Sequence, residues 1–417
     1  MQIELNKRTL HFRKPARTSR GQYTEHHLLK VTMYDEQGRI GVGECAPLPD
    51  LSPDAHAYDD LSQVARLIEE IFQAPRLSSS LSPSKLPSEL CHPSPVREGD
   101  ITFEQIASSS AGVSSPSLTG EGWQGGAASP DGERLWSELE GLRAYPALLF
   151  ALESALYDLR QSPILYDTPF ARSQEGIPTN GLVWMDTYDG MLQQAKQKIL
   201  AGFRCIKFKI GALDWDDELR LITLLRSRFS PDTLQIRLDA NGAFAPDEAL
   251  SRLRELAPLG IHSIEQPVRQ YLWDDTARLC RESPIPIALD EELIGVYRLS
   301  DKQKLLDDLR PQYIVIKPTL HGGMSGALEW VSESRKRGIG SWMTSALESN
   351  IGLRNVALLA AAAYGPRIRF PQGLGTGLLF TDNIPMDIEL RRTQLWRCEV
   401  EDPPPAPHRS QSGLLPR

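Results

Sequence analysis

CIKFKI at residues 205–210 is a short β-rich run with two lysines inside it. Four later runs share the oddity: LQIRLDAN at 234–241, IHSIEQP at 261–267, IPIALDEE at 285–292 and QYIVIKP at 312–318. Strands of a parallel sheet are covered on both faces and read as apolar. These runs begin apolar and finish on Lys207 and Lys209, on Asp239 and Asn241, on Glu265, on Asp290, and on Lys317. The spacing is regular: 30 residues from Lys209 to Asp239, 26 to Glu265, 25 to Asp290 and 27 to Lys317. Each step is about one βα unit, so the charged residues fall at matching ends of successive strands.

Working outward, PTNGLVWM at 178–185, GSWMTSALES at 340–349 and IRFPQGLG at 368–375 bring the runs to eight. Helical patterns lie between them, including YDGMLQQAKQKIL at 188–200, DDELRLITLLRSRF at 216–229, PDEALSRLRELA at 246–257 and GGMSGALEWVSESRKRG at 322–338. The alternation predicts parallel strands with crossover helices. Eight units predict an α/β fold of the TIM type, a (β/α)7β barrel, whose active site is at the C-terminal mouth of the strands. No GxGxxG opens the first βα turn, which argues against a dinucleotide-binding sheet.

Ahead of the barrel, PALLFALESALYDLRQ at 146–161 is an amphipathic helix. QYTEHHLLKVTMYDE at 22–36 and IGVGECAPL at 40–48 read as strands joined at Gly38-Arg39. DDLSQVARLIEEIF at 59–72 carries Leu61, Val64, Leu67, Ile68 and Ile71 at helical spacing. These predict an N-terminal α+β capping domain over residues 1–140, a barrel over 141–380, and a segment at 381–417 that returns to the capping domain and ends in a disordered tail. Residues 74–134 are rich in Ser, Pro and Gly, and their composition predicts a solvated, largely disordered insertion.

The 417 residues carry 46 Lys and Arg against 54 Asp and Glu, a net charge of −8, with no basic tract. That excludes the usual electrostatic footprint of a nucleic-acid partner. No stretch reaches the roughly 18 apolar residues of a membrane helix. MQIELNKRTLHFRKPARTSR lacks the apolar centre of a secretory signal. Five cysteines, Cys45, Cys91, Cys205, Cys280 and Cys398, show no CxxC spacing and suit a reducing cytoplasm. Cys205 is expected to be barrel filling.

Three carboxylates converging at one mouth cannot all stay ionised and unpaired. A hard divalent cation resolves the repulsion, and oxygen ligands without His or Cys suit Mg²⁺, with Mn²⁺ the alternative. Separate salt bridges are the other resolution. Lys207 and Lys209, two apart on a strand, share the interior face. Proton transfer by such a lysine needs its pKa brought down from about 10.4.

The ordered set KFK at 207–209, LDAN at 238–241, IEQP at 264–267, LDE at 289–291 and IKP at 316–318 resembles the enolase superfamily, muconate-lactonising subgroup. The resemblance covers roughly residues 140–380. It implies that Asp239, Glu265 and Asp290 bind Mg²⁺, and that Lys209 removes the proton α to a substrate carboxylate. Lys207 would assist it, and Lys317 would stabilise the enediolate from the opposite side. PARTSRG at 15–21, GECAPLPDLSPD at 43–54, SALESNIGL at 345–353 and GLGTG at 373–377 are similar to the dehydrating branch of that subgroup. That branch converts 2-succinyl-6-hydroxy-2,4-cyclohexadiene-1-carboxylate to 2-succinylbenzoate for menaquinone.

The implied partner is thus a small-molecule carboxylate. Racemisation of N-acylamino acids or epimerisation of dipeptides is the alternative within the subgroup, and a non-catalytic binding barrel is the alternative outside it. Ser345, Glu348, Ser349, Gly373 and Gly375 are the candidates for holding the substrate, or serve as cap and turn residues. Asn241 and Glu291 are candidates to support the metal ligands; with Glu292, Glu291 otherwise reads as a solvated helix start. His321 reads as a loop residue.

Overall fold

The computed structural model describes residues 2–18, 21–55, 64, 68, 139, 141–366 and 368–398. The chain starts with an antiparallel sheet of β1 (Gln2–Thr18), β2 (Gly21–Tyr34) and β3 (Ile40–Cys45). β1 is absent from the sequence reading. Its buried residues Leu10, Phe12 and Ala16 are spaced among exposed charged ones, so no continuous pattern marks it. Its pairing with β2 shifts register between His11 and Ala16, a stretch that includes Pro15, which cannot donate to the ladder.

Helix α1 (Pro146–Arg160) lies against β3. Gly41 and Gly43 make that approach: a Cβ at either would run into the carbonyl oxygen of Ala155 or Ala151. Val64 and Ile68 are helical and buried in the same core as α1. Leu61, Leu67 and Ile71, the 74–134 insertion, Cys91 and the tail after 398 lie outside the described residues.

The barrel strands are β4 (Gly181–Val183), β5 (Cys205–Lys209), β6 (Gln235–Asp239), β7 (Ser263–Glu265), β8 (Ile287–Leu289), β9 (Tyr313–Ile316) and β10 (Gly340–Met343). They form one sheet in chain order, every pair parallel. The helices between them are α2 (Tyr188–Leu200), α3 (Trp215–Arg226), α4 (Pro246–Leu256), α5 (Trp273–Glu282), α6 (Leu299–Leu309) and α7 (Gly323–Lys336), and α8 (Asn350–Tyr364) follows β10.

The ring closes through two residues. Gly373 bridges Thr344 and Gln372 bridges Thr179, both in parallel. Gly373 N–H donates to Met343 O at 2.8 Å and Gln372 N–H to Pro178 O at 2.8 Å. The eighth strand is this short because Pro371, just before it, has no N–H to offer. The hairpin β11 (Ile388–Arg391) and β12 (Gln394–Arg397) then pairs with Ile177–Pro178. On the way, residues 380–382 meet β1, where His11 N–H donates to Asp382 at 2.8 Å.

The period-2 alternation sorts the strand residues. Ile206, Phe208, Ile236, Leu238, Ile264, Ile287, Leu289, Ile314 and Ile316 pack in the large core that also contains the helices' buried side chains. The alternate residues fill the interior in layers. Tyr313, Trp342 and Phe370 plug the bottom with Ala288 and Val315. Arg237 stacks over Trp342 at 4.0 Å above them, and the charged strand ends top the stack. Among the described residues no helix is long and apolar enough to cross a membrane.

Candidate active site at the barrel mouth

β5 carries Cys205, Lys207 and Lys209 on the inner face. Cys205 is buried filling, as its position suggests. Lys207 Nζ lies 2.9 Å from Asp239 Oδ2 and 2.6 Å from Glu265 Oε1. Lys209 Nζ is one layer higher, 3.2 Å from Asp239 Oδ2 and 2.7 Å from Asn241 Oδ1. Lys317, four strands around the ring, is paired with Asp290. All three ammonium groups border one pocket.

Burial opposes charge on every one of these groups, and the opposite charges decide the outcome. Burial works against the ammonium of Lys207, but Asp239, Glu265 and Asp290 outweigh it and hold the group above the ordinary lysine range. Lys317 is likewise held up by Asp290 against its burial. Three carboxylates surround each of these two lysines and stabilise the protonated form, which suits the charge-stabilising roles expected of them. Asp239 is held low by Lys207 and Lys209 despite its burial. Glu265 is pushed up to about 8 by burial and by Asp239.

The donor set fits a hard cation, because it is all carboxylate and, among the described residues, Asp290 Oδ1 is buried with no hydrogen-bond partner. Lys207 Nζ bridges Asp239 and Glu265, and among the described residues no three His, Cys, Asp or Glu side chains are already drawn together around one point. The structure brings the three acids to adjacent strand ends, and each meets a lysine there.

Asn241 N–H donates to Asp239 Oδ1 at 3.1 Å, beside one of the candidate ligands. Asn241 accepts from Lys209 and donates through Nδ2 to Glu291 Oε1 at 3.1 Å, so it links a pocket lysine to that acid. Glu291 and Glu292 are buried, not solvated. Glu292 accepts from Tyr271 N–H and Trp273 Nε1–H, both at 3.1 Å, and fixes the turn before α5. His321 is in the turn before α7, as a loop residue, and it is fully buried there. Its Nδ1 accepts the Lys317 backbone N–H at 3.0 Å, which leaves Nε2 facing Asp290 Oδ1 at 3.9 Å. Burial pushes its pKa down to about 3, so the ring is neutral.

Ser345, Gly373 and Gly375 border the pocket, but Glu348 and Ser349 stand behind its wall. Glu348 accepts from Thr319 Oγ1 at 2.7 Å, Ser345 Oγ at 2.5 Å and Ala346 N–H at 2.8 Å. Ser349 caps α8 and bonds Glu44 of β3. Their role as direct substrate contacts is corrected accordingly: both are spent on the protein. They hold the Ser345–Leu347 loop, where Leu347 sits at φ +71°, a left-handed conformation that costs about 1–2 kcal/mol. The sequence reading missed Tyr23, Trp184, Thr344 and Leu347 as lining residues. Leu48 and Leu51 do fall in the GECAPLPDLSPD stretch read as a loop over the pocket.

A family model described as enolase C-terminal domain-like matches residues 190–384. An o-succinylbenzoate synthase from Desulfotalea psychrophila is 40% identical over 93% of this chain and 96% of its own length. The chain belongs to the enolase superfamily. The crystal structure of MenC from Desulfotalea psychrophila LSv54 superposes on it with a TM-score of 0.70 at 34% identity, covering 95% of this chain and 99% of that one. A second relative, the L-Ala-D/L-Glu epimerase of Bacillus subtilis, is 28% identical over 51% of this chain and 58% of its own.

Proposed function

We propose that the chain is a lyase, an o-succinylbenzoate synthase of menaquinone biosynthesis, working in the cytoplasm on a small carboxylate. The observation that carries this reading is the extent of the match to a synthase, which runs the length of both chains. The match to an epimerase covers about half. Enolase-superfamily enzymes depend on a divalent metal. Mg²⁺, with Mn²⁺ the alternative, held by Asp239, Glu265 and Asp290, would supply positive charge for the carboxylate of the substrate as it becomes an enediolate.

The residues divide the remaining work. The proton α to the carboxylate leaves toward Lys209 Nζ, whose hold on the acids is looser than that of Lys207: one carboxylate oxygen at 3.2 Å and one amide oxygen at 2.7 Å. Lys207, clasped by two carboxylates, keeps its proton and acts as fixed positive charge beside the forming anion. Lys317 faces the substrate from the far wall in the same capacity. The C6–O bond breaks, the leaving hydroxide takes up the proton that Lys209 Nζ accepted and departs as water, and the ring becomes aromatic. Aromatisation supplies the driving force, so the site has mainly to stabilise the anion.

Racemases and epimerases would use the same lysines. The test is a side-by-side assay of the purified protein with Mg²⁺ on the cyclohexadiene substrate, on N-acylamino acids and on dipeptides. The expected result is a kcat/KM for dehydration above that for every racemisation or epimerisation. A dipeptide or N-acylamino acid turned over faster than the cyclohexadiene would overturn the reading.

A further inference from the structure

The opposite end of the barrel holds a far larger space than the mouth. A cavity of about 940 Å³ opens beside the bottom plug, against about 100 Å³ at the mouth. Its walls carry four guanidinium groups, Arg310, Arg335, Arg337 and Arg369, and one carboxylate, Asp307. Arg337 is neutralised, with Asp307 at 2.7 Å and Glu333 at 2.7 Å. Asp307 is held low by Arg337 and also by Arg310, whereas Arg335 and Arg369 have no carboxylate partner among the described residues. Among the described residues Arg310 donates to the Asp307 carbonyl, Arg335 donates to the Ala363 carbonyl at 3.0 Å, and Arg369 lies over the Phe370 ring at 5.2 Å. None of these contacts is with a carboxylate.

The ends of helices are the ordinary explanation for such arginines. α6, α7 and α8 all finish at this cavity, and each C-terminus is equivalent to about half a negative charge. Four guanidiniums face two carboxylates, Asp307 and Glu333, and three helix ends offset about 1.5 of the two charges left, so a small excess of positive charge remains. It remains on a protein whose net charge is −8. The floor is aromatic: Tyr313 and Phe370 meet edge to face with centroids 5.6 Å apart, and Tyr364 borders the wall.

We propose that this cavity binds an organic polyanion that carries a planar ring, of the chemical class of a nucleotide polyphosphate, at a site separate from the barrel mouth. Guanidinium groups match phosphate oxygens in bidentate geometry. The rings of Tyr313 and Phe370 offer an apolar surface to the planar part, and the volume lies in the range of small-molecule sites. The site goes beyond the proposed dehydration and does not depend on it.

Isothermal titration with ATP and with pyrophosphate, both in EDTA so that no metal links a phosphate to the mouth, tests the proposal. ATP is expected to bind once per chain, more tightly than pyrophosphate, and to weaken at high salt. In the double variant Arg335→Ala/Arg369→Ala, with its melting curve checked, binding is expected to weaken about tenfold or more. Arg369→Glu alone, at an exposed position, is expected to weaken it too. Absence of ATP binding, or binding that neither variant changes, would overturn the site. Pyrophosphate bound as tightly as ATP would overturn the ring-binding part.

Discussion

Lys207 and Lys209 are two residues apart on one strand, yet their neighbours assign them different work. Lys207 lies between two carboxylates and is held protonated. Lys209 shares one of those carboxylates and an amide. Lys209→Ala is therefore expected to lower kcat for dehydration by about 10²–10⁴ while Mn²⁺ binding, followed by paramagnetic resonance, is retained. Near-normal turnover would remove Lys209 from the role of base. This contrast could not be seen in the sequence, where KFK gives two equivalent lysines. The strand-end charges themselves were legible, because a charge inside a barrel is costly enough to mark its position. Glu348 and Ser349 were not, because their partners come from elsewhere in the chain: Thr319 for one, and Glu44, 305 residues away, for the other.

At the scale of elements, two carboxylates from the N-terminal unit and α1 end on barrel helices. Glu44 of β3 accepts from Ser349 and Gly352 N–H at the start of α8. Glu153 of α1 accepts from Met324 N–H at 2.5 Å and Ser325 N–H at 3.3 Å at the start of α7, which has no side-chain cap of its own. Burial pushes Glu153 up to about 7. A carboxyl whose pKa is raised on folding adds stability below its unfolded value near 4.5, and this is lost as pH rises through about 7. Glu153→Gln is thus expected to gain on wild type by roughly 3 kcal/mol between pH 4.5 and 7.5 in urea unfolding. A difference that stays flat over that range would contradict the assignment.

The contact of β3 with α1 gives a second test at this scale. Gly43→Ala should lower stability by about 1–3 kcal/mol, because its Cβ meets helix backbone. An unchanged melting temperature would show that the strand can shift. The helices and strands of the barrel were legible from their periods. β1 was not, since an outer strand with charged residues on its exposed face has no apolar run to announce it.

For the molecule as a whole, the described residues already supply a ring, an N-terminal sheet and a lined mouth, and the composition of 74–134 is that of a solvated insertion. Deletion of residues 78–132 is expected to leave the melting temperature and kcat/KM for dehydration close to wild type. Loss of either would show that the insertion has a role in the fold or the mouth. The order of elements around the barrel was fully legible because each βα unit repeats the same spacing. Closure was only partly legible: the last run contributes two paired residues, a length set by Pro371 and by the contacts of Gly373 with Thr344. Turnover of 2-succinyl-6-hydroxy-2,4-cyclohexadiene-1-carboxylate, followed in the ultraviolet with Mg²⁺ and again after EDTA, tests the account most directly. Formation of 2-succinylbenzoate that stops on chelation and returns with Mg²⁺ is the expected result. No turnover with Mg²⁺, or turnover undiminished by EDTA, would contradict it.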